Sequence, residues 1–202
     1  MDEVDRWAQR LKAVNTIVVR DGVLRGVNTD AFGFLESLLD AKPDWRADAG
    51  PVVVLGAGGA ARAIVAGLQD KGAPEIRIAN RTSERAAAIS DEFGDPVRPI
   101  LWEHRSRALS DAALLVNTTL LGMEGHPALE IDLAKLPNAS VVYDIVYVPL
   151  ETPLLAAARL RGNLAIDGLG MLLHQARPGF REWFGVDPVV DQALRDHVLA
   201  AL

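Results

Sequence analysis

Residues 14–34, VNTIVVRDGVLRGVNTDAFGF, hold two Asn-Thr pairs, and Asp30 directly follows the second. Between the pairs lie Ile17-Val18-Val19, an Asp-Gly dipeptide and a second short apolar run containing a glycine. Asp-Gly between such runs signals a hairpin, because the favoured two-residue turn needs positive φ at both central residues. A chain that leaves at Asn15, turns at Asp21-Gly22 and returns to Asp30 brings an amide and a carboxylate to one end. The amide can donate and accept hydrogen bonds, and the carboxylate can exchange a proton. Taken alone, Asp30 also reads as the N-cap of the helix after it, and Asn15 as a satisfied polar group at a strand edge.

A second constellation begins at Gly56. Val52-Val53-Val54-Leu55 is a continuous apolar run, the pattern of a strand buried on both faces. Directly after it comes Gly56-Ala57-Gly58-Gly59-Ala60-Ala61, a G-x-G-x-x-A turn opening an alanine-rich helix. The first glycine permits a tight turn, the second lets a pyrophosphate approach the backbone, and the small third residue lets the helix pack closely. The helix N-terminus then offers unpaired N–H groups and partial positive charge. Tight strand-to-helix turns also use glycine for structure alone.

The end of the next strand bears on which dinucleotide would bind. An NAD site places an acidic residue there for the ribose hydroxyls, whereas this chain has Asn80-Arg81-Thr82-Ser83-Glu84-Arg85. Guanidinium groups suit phosphate, so Arg81, Thr82 and Arg85 read as a clamp for the 2′-phosphate of NADP. The plainer reading has Thr82 or Ser83 capping a helix and both arginines solvated.

The elements that would position these groups are legible in outline. Residues 2–12 read as a helix, then come the hairpin and a helix over about 31–41. The stretch KPDWRADAGP, residues 42–51, reads as a linker. Beyond it strands at 52–55, 76–79, 113–117, 141–146 and 164–166 alternate with helical segments, among them 83–93, 168–184 and one from about Pro188. Such alternation predicts an α/β fold with a Rossmann-type, doubly wound parallel sheet.

Composition narrows the classes further. The chain has 202 residues, no cysteine and a net charge of −6, which argues against disulfides, thiolate metal sites and a nucleic-acid partner. His104, His126, His174 and His197 lack metal-ligand spacing. No apolar run is long enough for a membrane span and the N-terminus lacks a signal peptide's apolar core, so a cytoplasmic protein is expected.

These motifs, in this order, resemble the shikimate dehydrogenases, including their quinate-using relatives. The likeness rests on AVNT at 13–16, GVNTDAFGF at 26–34, GAGGAARA at 56–63 and NRT at 80–82. It continues through NTTLLGM at 117–123, DIVYVPLETPLL at 144–155 and GLGMLLHQA at 168–176. The resemblance implies reduction of 3-dehydroshikimate to shikimate by NADPH, a step toward aromatic amino acids. It implies that Asp30 serves as an acid–base group with a lysine, and that Asn15, Tyr147 and Gln175 contact substrate. It places Met171 near the nicotinamide, with Gly168 among the expected cofactor residues; Asn117 and Thr118 join them because they end a strand, where open parallel sheets bind ligands.

The resemblance also implies a carboxylate-binding Ser-x-Ser and a Pro-His-Lys lysine that no segment here matches, and Lys12 stands where the family usually has glycine. The expected organisation is a remnant of an α/β substrate-binding domain over 1–41, an NADP-binding domain over 42–167, and C-terminal helices over 168–202 packing back toward the first part. The chain is expected to keep its cofactor site and to turn over poorly until the missing groups are supplied. A non-catalytic NADP-binding module or partner subunit, and a relative acting on quinate or an amino analogue, are the alternatives; a homodimer is compatible with the sequence.

Overall fold

The computed structural model describes residues 1–201 and divides into two compact units, Met1–Pro43 with Leu169–Leu202, and Asp44–Gly168. The chain begins with a two-residue strand, β1 (Glu3–Val4), where the sequence predicts helix. Helix α1 (Arg6–Leu11) starts only after Asp5, whose carboxylate accepts the Ala8 N–H at 2.7 Å. It ends at Lys12, which takes the left-handed conformation at φ 54°. Strands β2 (Thr16–Arg20) and β3 (Val23–Val27) form the expected hairpin, with Thr16 opposite Val27 and Arg20 opposite Val23. Asp21 (φ 51°) and Gly22 (φ 79°) make the turn, both at positive φ as a two-residue hairpin requires. β1 pairs parallel with β3. Along β2, Thr16 and Val18 are buried, whereas Ile17 and Val19 are 45% and 64% exposed, so one face of this small sheet is open and apolar. Helix α2 (Asp30–Ala41) follows.

The second unit is built on strands β4 (Val52–Leu55), β5 (Ile76–Ala79), β6 (Val97–Ile100), β7 (Leu114–Asn117), β8 (Val141–Asp144) and β9 (Leu164–Ile166). All pair in parallel, in the order β6-β5-β4-β7-β8-β9. Val52 stands beside Ile76 on one side and Leu114 on the other. Every residue of β4, β7 and β8 is buried, as a sheet covered on both faces demands. Helices α3 (Gly59–Asp70), α4 (Ser83–Phe93) and α5 (Pro153–Leu160) supply crossovers, and β6 leads instead into two short 3-10 turns, Trp102–His104 and Arg107–Leu109. β6 is absent from the sequence-based expectation, because its segment DPVRPI carries two prolines; as an edge strand it can hold Pro99 without breaking a central ladder. The order runs outward in both directions from β4 and β7, so their carboxyl ends flank the switch point where such sheets bind ligands.

The chain ends in α6 (Leu169–Phe184) and α7 (Gln192–Leu199), the latter starting later than expected, at the Asp191 cap. Within the first unit α6 packs on α2 through glycines. A Cβ at Gly33 would lie 2.6 Å from Gln175 Cβ, and one at Gly170 would lie 2.2 Å from Ser37 Oγ. The Trp183 indole N–H donates to the Ile17 carbonyl at 3.0 Å, fixing α6 against β2. Among the described residues no helix is long and apolar enough to cross a membrane, and no cluster of side chains could hold a metal.

Candidate functional site

The glycine turn sits at the switch point of the large sheet. Gly56 has φ +107°, and a Cβ there would fall 2.4 Å from Thr118 Oγ1, so both backbone and space exclude any side chain. The neighbouring strand ends are tied across it: Gly56 N–H donates to Ala79 O, and the Thr118 hydroxyl donates to Leu55 O at 2.7 Å. Gly58 caps α3 without a side-chain bond, and a Cβ at Gly58 or Gly59 would meet nothing within 4 Å. Open space therefore lies over the first turn of α3, whose N–H groups no capping side chain takes; this is an anion cradle. A groove of about 620 Å³ is lined by the loop residues Gly56, Ala57, Gly58, Gly59 and Ala60. It continues past Asn80 and Arg81 after β5, Arg85 in the first turn of α4, Trp102 after β6, and Thr118 after β7.

The Asn80 amide donates to Thr82 O at 2.9 Å, which fixes the turn that presents Arg81. Among the described residues neither Arg81 nor Arg85 makes an ion pair, and no acidic side chain lines the groove. Thr82 is the N-cap residue of α4, but its hydroxyl makes no capping bond and it does not line the groove. These features fit a dinucleotide with a 2′-phosphate: an open cradle for the pyrophosphate and unengaged guanidinium groups for the extra charge.

Asn117 does not line the groove, because its side chain turns into the protein. Its amide donates to Asp144 Oδ1 (2.9 Å) and to Leu121 O (3.1 Å), and its oxygen accepts from the Thr119 hydroxyl (2.7 Å). Asp144, fully buried, also accepts from Val146 N–H (3.1 Å) and the Thr152 hydroxyl (2.7 Å). Burial pushes the Asp144 carboxyl up to about 6, against the opposing pull of these donors. The network braces the loop after β7 and the turn after β8, and sequence reasoning missed Asp144's part in it. Tyr147, three residues beyond, is 38% exposed. Gly168 is likewise outside the groove; a Cβ there would overlap the Ile145 carbonyl at 1.9 Å, so this glycine permits a close backbone approach.

The other unit holds the remaining expected residues. Asn15 Nδ2 donates to Asp30 Oδ1 at 2.7 Å, so the hairpin joins its two ends directly. The Asn15 oxygen accepts from Thr29 N–H (3.1 Å) and the Thr29 hydroxyl (3.2 Å), which fixes the amide's orientation. Thr29, not Asp30, is the N-cap residue of α2, and Asp30 occupies the first turn with its N–H donating to Asn28 Oδ1 (3.0 Å). Burial raises the Asp30 carboxyl above its ordinary range, while hydrogen bonding from Asn15 and Asn28 pulls it down. Gln175 lies against Gly33, one helical turn from Asp30 on the same face of α2. Met171 is buried on α6, with its carbonyl against Gly33.

An all-parallel sheet in this order, with a glycine turn at its switch point, defines a Rossmann-type α/β protein. Residues 41–122 match the family model for shikimate/quinate 5-dehydrogenase. Across 99% of its length the chain is 57% identical to the NADP(+) shikimate dehydrogenase of Paramagnetospirillum magneticum, of which it covers 73%. Its fold superposes on shikimate dehydrogenase from Thermus thermophilus, solved with NADP(H) and shikimate, with a TM-score of 0.85 and 39% identity, covering 100% of this chain and 73% of that one. Quinate dehydrogenase from Corynebacterium glutamicum, solved with NAD, gives 0.89 at 33% identity, with 100% and 72% covered. The chain belongs to the shikimate dehydrogenase family.

Proposed function

We propose that the protein is an NADP-dependent oxidoreductase that reduces the ketone of 3-dehydroshikimate to the alcohol of shikimate. The observation that carries this reading is the hydrogen bond between Asn15 and Asp30, an oriented amide beside a proton-exchanging carboxyl. When bound, NADPH supplies the hydride that forms the new C–H bond. The carbonyl oxygen then needs one proton, and Asp30, raised by burial, is suited to hold it there with the lysine that the family likeness implies. Asn15 and Gln175 would orient the substrate hydroxyls. In this reading Arg81 and Arg85 hold the 2′-phosphate, the first turn of α3 holds the pyrophosphate, and the expected roles of Tyr147, Met171 and Gly168 are toward substrate and nicotinamide. The protein works in the cytoplasm on small molecules.

The test is turnover. The chain is extended to its relatives' length with the segment of the Paramagnetospirillum enzyme that it does not match, and NADPH absorbance is followed with 3-dehydroshikimate or the quinate analogue. The reading predicts substrate-dependent oxidation, faster with 3-dehydroshikimate. Asp30→Asn should lower kcat about 10²–10⁴-fold and leave NADPH affinity unchanged. Unchanged kcat in that variant would remove Asp30 from the chemistry.

A further inference from the structure

We infer that Trp102 is the platform on which the nucleobase of the bound dinucleotide stacks. The inference rests on the nucleotide reading above and assigns a part of the groove that the glycine loop and the arginines leave unexplained. Trp102 opens the 3-10 turn that follows β6, the strand beside β5, and it lines the groove with Arg81 and Arg85. The 2′-phosphate and the base share one ribose, so a phosphate held by Arg81 leaves the base no farther than one sugar's width away. Trp102 offers the largest flat apolar surface along that part of the groove, and base–aromatic stacking needs only a π-face.

The indole is also held in place beforehand. The Arg105 guanidinium lies over the ring, 4.7 Å from its centroid. That guanidinium is itself fixed, donating to Trp102 O (2.8 Å) and twice to Glu130 O (2.9 and 2.7 Å). The ring packs against the core formed by residues such as Leu109 and Leu129. Trp102 lines the groove and Arg105 does not. A platform already immobilised loses little rotamer freedom when a base settles on it.

The experiment uses 2′,5′-ADP, the adenosine half of NADP, as the probe, with calorimetry and tryptophan fluorescence. Of the four tryptophans only Trp102 lines the groove, so stacking should quench part of the wild-type emission on binding. Trp102→Leu should weaken 2′,5′-ADP binding about 5- to 100-fold. Trp102→Phe keeps a π-face; it should bind within about threefold of wild type and lose the quench. A Leu variant that binds as tightly as wild type, or a Phe variant that keeps the quench, would overturn the inference while leaving the nucleotide reading intact. The Phe arm decides the matter if the Leu variant fails to fold. Failure of the wild-type protein to bind 2′,5′-ADP would overturn the nucleotide reading itself, and this inference with it.

Discussion

The amide of Asn15 and the carboxylate of Asp30 lie 2.7 Å apart, although 15 residues separate them. The Asp21-Gly22 turn closes that distance, and the Thr29 backbone and hydroxyl hold the amide so that its NH₂ faces Asp30. Burial raises the Asp30 carboxyl, and the Asn15 hydrogen bond moderates that rise. The Asn15 donor favours the charged form and burial opposes it. Asn15→Ala should therefore move the Asp30 pKa further upward, read from its carboxyl carbon in an NMR titration. A downward shift or none would show that the hydrogen bond does not tune this carboxyl.

Asp144 predicts a pH dependence of stability. Its pKa is raised in the folded protein to about 6 from an ordinary 3.8, so the fold favours its neutral form. That contribution is fully present below about 3.8 and is lost as pH rises through about 6. The unfolding free energy of wild type relative to Asp144→Asn should thus fall by about 2–3 kcal/mol between pH 4 and 7. A constant difference across that range would show that Asp144 titrates normally.

Lys12 ends α1 at φ 54°, a conformation that costs a residue with a Cβ about 1–2 kcal/mol. Glycine avoids that cost but loses about 0.5–1 kcal/mol of chain entropy. Lys12→Gly should raise stability by about 0.5–1 kcal/mol in denaturant unfolding. Such a gain would assign Lys12 a structural position at the end of α1. A marked loss of stability would instead show that the lysine side chain supports the fold.

The parts of the site carried by local signals were legible in the sequence. Asp21-Gly22 specified the hairpin, and the apolar run before Gly56 specified a buried strand ending in a tight turn. The start of the chain is a different case, since the Asp5 cap that begins α1 at Arg6 lies inside what periodicity alone reads as one helix over 2–12. Trp102 was not legible, because Pro96 and Pro99 masked the strand that presents it. Asn117 reads as a groove residue from its place at a strand end. Its side chain instead finds Asp144, 27 residues on, and only the pairing of β7 with β8 shows this.

Calorimetric titration of the chain with NADP⁺ and NAD⁺ decides whether the nucleotide site is built for a 2′-phosphate. Arg81 and Arg85 line the groove without ion-pair partners among the described residues, so NADP⁺ should bind at least about tenfold more tightly. Arg81→Ala should cost about 1.5–3 kcal/mol of NADP⁺ affinity and leave NAD⁺ affinity nearly unchanged. Equal affinity of the wild-type chain for both nucleotides, or equal losses for both in the variant, would contradict the claim.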